Sequence, residues 1–321
     1  MNKVKLNLPT AIDFRDAVFS SLHEIMRKDA NVVCLTNDMG AIGLDKIRSE
    51  FPDRVINVGI AEQNMMSLAG GMALAGKSVY VYGIVAHVTA RCFEQIKLDI
   101  CVPNLPVTII GVGAGLAYGV DGPTHHGVED VAIMRALGNM QIFNPADGVS
   151  AFAAVKLAQA SRSPCYIRMD KEVLPPLFEA HYDFSSGVNI LVPGADAVIV
   201  STGVLSWTAR DVALALNTEG YSVKAIDLFR LRPVDSDFLA SLLQNAKVVL
   251  TLEENISSGG VGSIVSEVLA ASGLHPKLMR FSLGDSFLLG SASREWAAEK
   301  FGFTRSNLTR VVREMLAVVK V

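Results

Sequence analysis

A chain of 321 residues, half of them hydrophobic, is long enough for about two domains with a large buried core. Its net charge of −3 leaves no electrostatic footprint for nucleic acid or for an anionic membrane surface. The hydrophobic share exceeds what a self-contained monomer requires, which predicts buried contact between protomers and an oligomer.

In chain order, the opening MNKVKLNLPT lacks the apolar run of a signal peptide. Apolar strand-like runs then alternate with helical patterns: VVCLT at Val32, VINVG at Val55, SVYVYG at Ser78, PVTIIGVG at Pro106, MQIFN at Met140 and CYIRM at Cys165. Such alternation predicts a mainly parallel α/β sheet wrapped by helices. Leu174 to Gly187, with two prolines and little periodicity, reads as a linker, placing domains at 1–180 and 188–321. A second α/β series follows, with strands at Ala197, Val223 and Lys247. Between the first two, Leu205, Ala209, Val212, Ala213 and Leu216 share one helical face that Gly220 ends. Near the carboxyl end, Leu308, Val311, Val312, Met315, Leu316 and Val319 form an apolar stripe expected in a core or an interface. The longest apolar stretch, Leu105 to Val120, is broken by glycine and too short to span a bilayer, so a soluble protein is expected. Cys34, Cys92, Cys101 and Cys165 are dispersed without a CxxC pair, which points to core thiols in a reducing, cytoplasmic setting.

Two glycine clusters invite comparison with phosphate loops. GVGAG at Gly111 has Leu116 where the dinucleotide fingerprint needs glycine, and GGVG at Gly259 also lacks its third glycine, so both read as tight turns. There is no P-loop and no GxSxG elbow, leaving nucleotide and acyl-serine chemistry unsupported.

Two segments carry chemistry. In NVGIAEQNMMSLAGG, from Asn57 to Gly71, an apolar strand runs through Gly59 into an apolar helix and sets Glu62 at the carboxyl end of a strand, where open α/β sheets bind ligands. Taken alone, an acid in a first helical turn is what the helix dipole favours. In DGPTHHG, from Asp121 to Gly127, glycine and proline exclude a regular element, so Asp121, His125 and His126 are held on a loop. Adjacent histidines are poorly placed to share one metal in a fixed geometry, and no metal site is assigned.

Together with EQIKLDICVPNL at Glu94, NPAD at Asn144, LTLEEN at Leu250 and GGVGS at Gly259, these segments resemble the thiamine diphosphate enzymes of the transketolase and deoxyxylulose-phosphate synthase group. The resemblance covers nearly the whole chain. It implies a pyrimidine-binding parallel-sheet domain followed by a smaller C-terminal α/β domain, together forming one subunit of a split ketol transferase. It further implies that Glu62 bonds the cofactor's pyrimidine nitrogen N1′ and favours the tautomer that takes up the thiazolium proton. Burial beside an apolar ring should raise its pKa for that task.

By the same resemblance, Asp38 and Met39 support thiamine, while Asp121, His125 and His126 meet sugar hydroxyls, with His126 standing where many relatives have Gln. Arg15 and Arg168 correspond to ligands of the substrate phosphate, but Ile42 and Gly113 replace a hydroxyl and a basic residue. In the segment Gly83 to Arg91, where relatives stack an aromatic ring on the pyrimidine, neither Phe nor Tyr occurs, so His87 or Val88 must take that face beside Arg91. The GDG and downstream Asn that bind the diphosphate with its Mg2+ or Ca2+ are missing. A partner, an N-terminal transketolase-like subunit, is expected to supply them in a heterotetramer with two copies of each chain. The alternatives are a β-type subunit of a 2-oxoacid decarboxylating or dehydrogenating enzyme, and a non-catalytic assembly or regulatory partner.

Overall fold

The computed structural model describes residues 11–289 and 293–319, so the amino-terminal decapeptide lies outside the described residues, as does the side chain of Val319. The strands are β1 (Ile12–Asp13), β2 (Val32–Thr36), β3 (Val55–Asn57), β4 (Ser78–Ile84), β5 (Val107–Val112), β6 (Gln141–Phe143), β7 (Cys165–Met169), β8 (Val173–Leu174), β9 (Val188–Val192), β10 (Ala197–Ser201), β11 (Val223–Leu228), β12 (Arg230–Arg232), β13 (Val248–Leu252) and β14 (Lys277–Phe281). Seven of them form one sheet in the order β12-β6-β7-β5-β4-β2-β3, and five form a second in the order β14-β13-β10-β11-β9. All pairs within the first sheet are parallel except β12 with β6, and all within the second except β9 with β11.

The strands read as continuous apolar runs because both faces are covered. Along β2, Val32 and Cys34 pack against the helices Phe14–Lys28 and Gly148–Ser161. Val33 and Leu35 face the other way, toward the helix Glu62–Leu74 and a π-helix at Ile96–Cys101. This second apolar layer continues without a break into the C-terminal half through Val188, Val198, Ile226, Leu228 and Val261. Asp13 caps the first helix by accepting the Arg15 N–H, and Asp147 of NPAD forms a capping box with Ser150.

Two features differ from the sequence expectation. The stretch from Leu174 to Gly187 has no regular element beyond its first residue, but it is a packed strap. The Leu177 and Phe178 amides both donate to Asp147, and Phe178, Tyr182, Phe184 and Phe229 form an aromatic cluster. β12, from beyond the expected linker, adds to the edge of the first sheet. The stripe on Leu205–Thr218 is buried as its spacing predicts, as are Leu308, Val312, Met315 and Leu316. All four cysteines are buried free thiols. No helix among the described residues is long and apolar enough to cross a membrane.

At the end of β11, the fully buried Asp227 accepts hydrogen bonds from Ser206 and Asn189, and burial nevertheless pushes its carboxyl up to about 7. Unfolded, an aspartate titrates near pH 4. Between these values the folded chain binds more protons than the unfolded chain. The stability contributed by this group is therefore complete below about pH 4 and lost as pH rises through about 7. Asp227→Asn should gain on the wild type across that interval by up to about 1.4 kcal/mol per pH unit. Chemical denaturation at several pH values checks this, and a difference that does not vary with pH would contradict it.

Candidate active site

Because the strands of the first sheet are parallel, their carboxyl ends share one edge. β2 lies between β3 and β4, so the chain leaves β2 in one direction and returns on its other side. The segments after β2, β3 and β4 meet at this switch point, the place where such sheets leave a ligand crevice. They deliver Asn37, Glu62, His87 and Arg91.

Glu62 opens its helix and is 4% exposed. The Asn37 Nδ2 donates to one carboxylate oxygen at 2.8 Å, the Arg91 Nη1 donates to the other at 2.9 Å, and the His87 Nδ1 stands 3.9 Å away. Burial, the largest influence, acts to raise the pKa of this carboxyl. The residue's own backbone amide, Asn37 and Arg91 together outweigh it and hold the group below the usual carboxylate range. The apolar surroundings that would raise the value are present, but so are two side-chain donors on the ionised form. His87 is pushed below its ordinary value, first by burial and then by Arg91, with Glu62 opposing.

The structure separates His87 from Val88. Val88 is completely buried, and a side-chain carbon on Gly83 would sit 2.5 Å from its Cγ1, so it packs inward. His87 is partly exposed, touches the Thr124 backbone, and has its ring centroid 5.3 Å from that of His125. This pairing brings the segment after β4 against the DGPTHHG loop. In that loop His125 accepts from or donates to Thr124 Oγ1 at 2.9 Å, and Asp121 is exposed. His126 points inward instead. It is buried and its Nε2 donates to the Gly119 carbonyl at 3.0 Å, so the loop itself uses its polar edge.

Asp38 adopts a left-handed φ of 65° and is exposed, with its amide and carboxylate both bonded to Asn57. Met39 packs partly into the core, and its carbonyl accepts Thr36 Oγ1. Arg15 is about one-third exposed and grips Asp13 with Nε and Nη2. Arg168 is buried and bonded within the chain. Its Nε donates to Asp130 at 2.8 Å, and its Nη2 donates to the carbonyls of Gly127 and Glu254 at 2.7 and 2.8 Å. Ile42 stands out in solvent. Gly113 has φ 95°, and any side chain there would strike the Tyr118 ring, at 2.2 Å.

Neither glycine cluster is free to cradle an anion. The Gly113 and Ala114 amides donate to Met169 O, and the amides of Val261 and Gly262, the last two residues of GGVG and the first two of a helix, donate to the buried Glu253 of LTLEEN. Among the described residues no group of three His, Cys, Asp or Glu side chains is placed to hold a metal. Sequence reasoning missed Asn37 and Glu254. Asn37 adjoins the candidate Asp38, and Glu254 lies within LTLEEN, yet only the fold reveals what each one touches.

Residues 10–176 match the family described as transketolase, pyrimidine binding domain, and residues 186–308 match transketolase, C-terminal domain. The chain is 35% identical over 237 residues to one of the subunits of the apulose-4-phosphate transketolase of Actinobacillus succinogenes, covering 74% of this chain and 76% of that one. It is 29% identical over 304 residues to a 6-deoxy-6-sulfo-D-fructose transketolase subunit of a Clostridium species, covering 94% of each. A solved structure described as a split gene transketolase, inactive beta4 tetramer, superposes with a TM-score of 0.84 at 32% identity, covering 95% of this chain and 98% of that chain.

Proposed function

The chain belongs to the transketolase family, and from that membership we propose that it is the C-terminal subunit of a split, thiamine diphosphate-dependent transketolase. It would move a two-carbon ketol unit between sugars or sugar phosphates once a partner chain completes the site. The observation that carries this is Glu62, a nearly enclosed carboxylate at the switch point with a histidine ring beside it. These residues fit the pyrimidine half of the cofactor: an acid for a ring nitrogen and an imidazole face for the ring. When bound, thiamine diphosphate supplies the electron sink for breaking and remaking the carbon–carbon bond.

The chain's own residues do the rest. Glu62 holds or yields a proton at the pyrimidine N1′, with Asn37 fixing its orientation. Arg91 is half exposed and can release the carboxylate as the ring arrives, which would raise the Glu62 pKa toward a proton-sharing value. His87, not Val88, presents the ring face, and Asp38 and Met39 border it. Asp121 and His125 reach the sugar hydroxyls, while His126 holds the loop's shape. The partner, an N-terminal transketolase-like subunit with the GDG motif and downstream Asn, would bind the diphosphate and its Mg2+ or Ca2+ in a complex of two copies of each chain.

Substrate choice follows from the cations. With Arg168 engaged internally, Ile42 in place of a hydroxyl and Gly113 without a side chain, Arg15 is the remaining candidate for an anionic tail. A phosphate is held best by several charge-assisted donors. We therefore place the preferred substrate among sugars that are unphosphorylated or carry a different anion. Of the two relatives, the one named for a sulfosugar carries a different anion, as this reading expects, whereas the one named for apulose-4-phosphate does not. The test is kcat/KM of the reconstituted complex over phosphorylated, sulfonated and neutral sugars. A preference of more than about tenfold for xylulose and ribose phosphates, abolished by Arg15→Ala, would overturn the assignment of substrate while leaving the reaction class in place.

A further inference from the structure

The loop that carries Asp121 and His125 contains one 3-10 turn, Gly119–Asp121, and is held from within by His126 on the Gly119 carbonyl and from outside at its base. Its base is closed by reciprocal bonds, Gly115 N–H to Gly127 O at 2.8 Å and Gly127 N–H to Gly115 O at 3.0 Å. Glu254, just beyond β13 in the second domain, reaches this base. Its Oε2 accepts the Leu116 amide at 3.2 Å, and its own backbone carbonyl takes Arg168 Nη2, which also holds Gly127 O at the other end of the loop. Arg294 fixes the Glu254 carboxylate through two bonds of 2.7 and 2.9 Å and joins it to Asp170, at the end of β7, at 2.7 Å. The fit is close. Gly115 has φ 58°, and a side-chain carbon there would lie 2.3 Å from Glu254 Oε2.

We propose that Glu254 is a positioning residue for sugar recognition: the second domain sets the register of the Asp121–His125 loop without itself touching the sugar. This rests on the assignment of Asp121 and His125 as sugar ligands. The mechanism is preorganisation, since a loop fixed at both ends of its base loses less freedom when substrate binds. Of its two anchors, Leu116 N–H on entry bonds the Glu254 side chain directly, and Gly127 O on exit is tied to the Glu254 carbonyl through Arg168 Nη2, which donates to both.

The experiment uses the reconstituted complex carrying Glu254→Ala, Glu254→Gln or His125→Ala. It measures donor KM, kcat, cofactor affinity and the ring resonances of 13C-labelled His125, at a temperature at which every variant is folded. Loss of a charge-assisted bond to the loop should raise donor KM about tenfold in Glu254→Ala and shift the His125 signals, with cofactor affinity within about twofold of wild type. Glu254→Gln keeps an oxygen for Leu116 N–H and should fall in between. If Glu254→Ala does not fold, Glu254→Gln decides, and a donor KM raised together with displaced His125 signals supports the proposal. Wild-type donor KM and His125 signals in the folded variants, with only a lower melting temperature, overturn it and leave Glu254 a structural bridge. Wild-type donor KM in His125→Ala would instead overturn the ligand assignment beneath it, and the proposal with it.

Discussion

Replacing Glu62 with glutamine should leave the complex assembled and lower its turnover by about two to four orders of magnitude. That range corresponds to about 3 to 5 kcal/mol of transition-state stabilisation. The amide has nearly the same shape, so the pocket formed by Asn37, Arg91 and the start of Glu62–Leu74 need not reorganise. One amide oxygen still accepts from Asn37. The amide nitrogen would face the Arg91 guanidinium, but Arg91 is 46% exposed and can turn to solvent. An ion pair with one exposed partner is worth about 1 kcal/mol or less. Stability therefore changes little, whereas proton exchange with the pyrimidine nitrogen is lost, because an amide cannot serve as acid or base near neutrality. If Glu62 served only the helix dipole, the result would be reversed, with about 0.3 to 1 kcal/mol of stability lost and turnover retained. Steady-state kinetics with thermal unfolding of the same preparation distinguish the two outcomes.

The sequence carried the architecture well because its signals are local. Continuous apolar runs such as VVCLT and VVLTL mark strands covered on both faces, and the helix Leu205–Thr218 announces its buried side by spacing alone. The position of Glu62 was legible for the same reason: a strand, a glycine with φ 74° and a helix occur within ten residues. What escaped was long-range. β12 is three residues whose only partner lies near residue 142, and no local pattern predicts such an edge. The strap from Leu174 to Gly187 looked like a linker because its order comes from Asp147 and an aromatic cluster, not from its own backbone pattern. The partners of Glu62 lie 25 and 29 residues away, so the depression of its pKa could not be anticipated from its apolar neighbours. Arg168 shows the limit of transferring roles by position. Its place along the strand matches a phosphate ligand, but in this fold Asp130, Gly127 and Glu254 already satisfy its Nε and Nη2.

The isolated chain should show no ketol transfer and bind thiamine diphosphate at least about 100-fold more weakly than the complex does. Nothing in its sequence supplies the motif for the charged half of the cofactor, and losing two charge-assisted hydrogen bonds of about 1.5 kcal/mol each already accounts for that factor. The surface around the site points the same way. Ile60, two residues before Glu62, is 78% exposed, and Ile42, which opens the helix just after Asp38 and Met39, is 84% exposed. Exposed apolar side chains beside a buried carboxylate make sense when another polypeptide covers them. Removing the partner would leave Glu62 paired with Arg91, which helps to hold its carboxyl below the usual range, and would leave the ring site uncommitted. Titrating partner into a fixed amount of this chain should restore activity with a stoichiometric end point, and cofactor affinity should rise in parallel. Ketol transfer by the purified chain alone, at a rate that added partner does not change, would show that the site is complete without a second polypeptide and would remove the basis for a split enzyme.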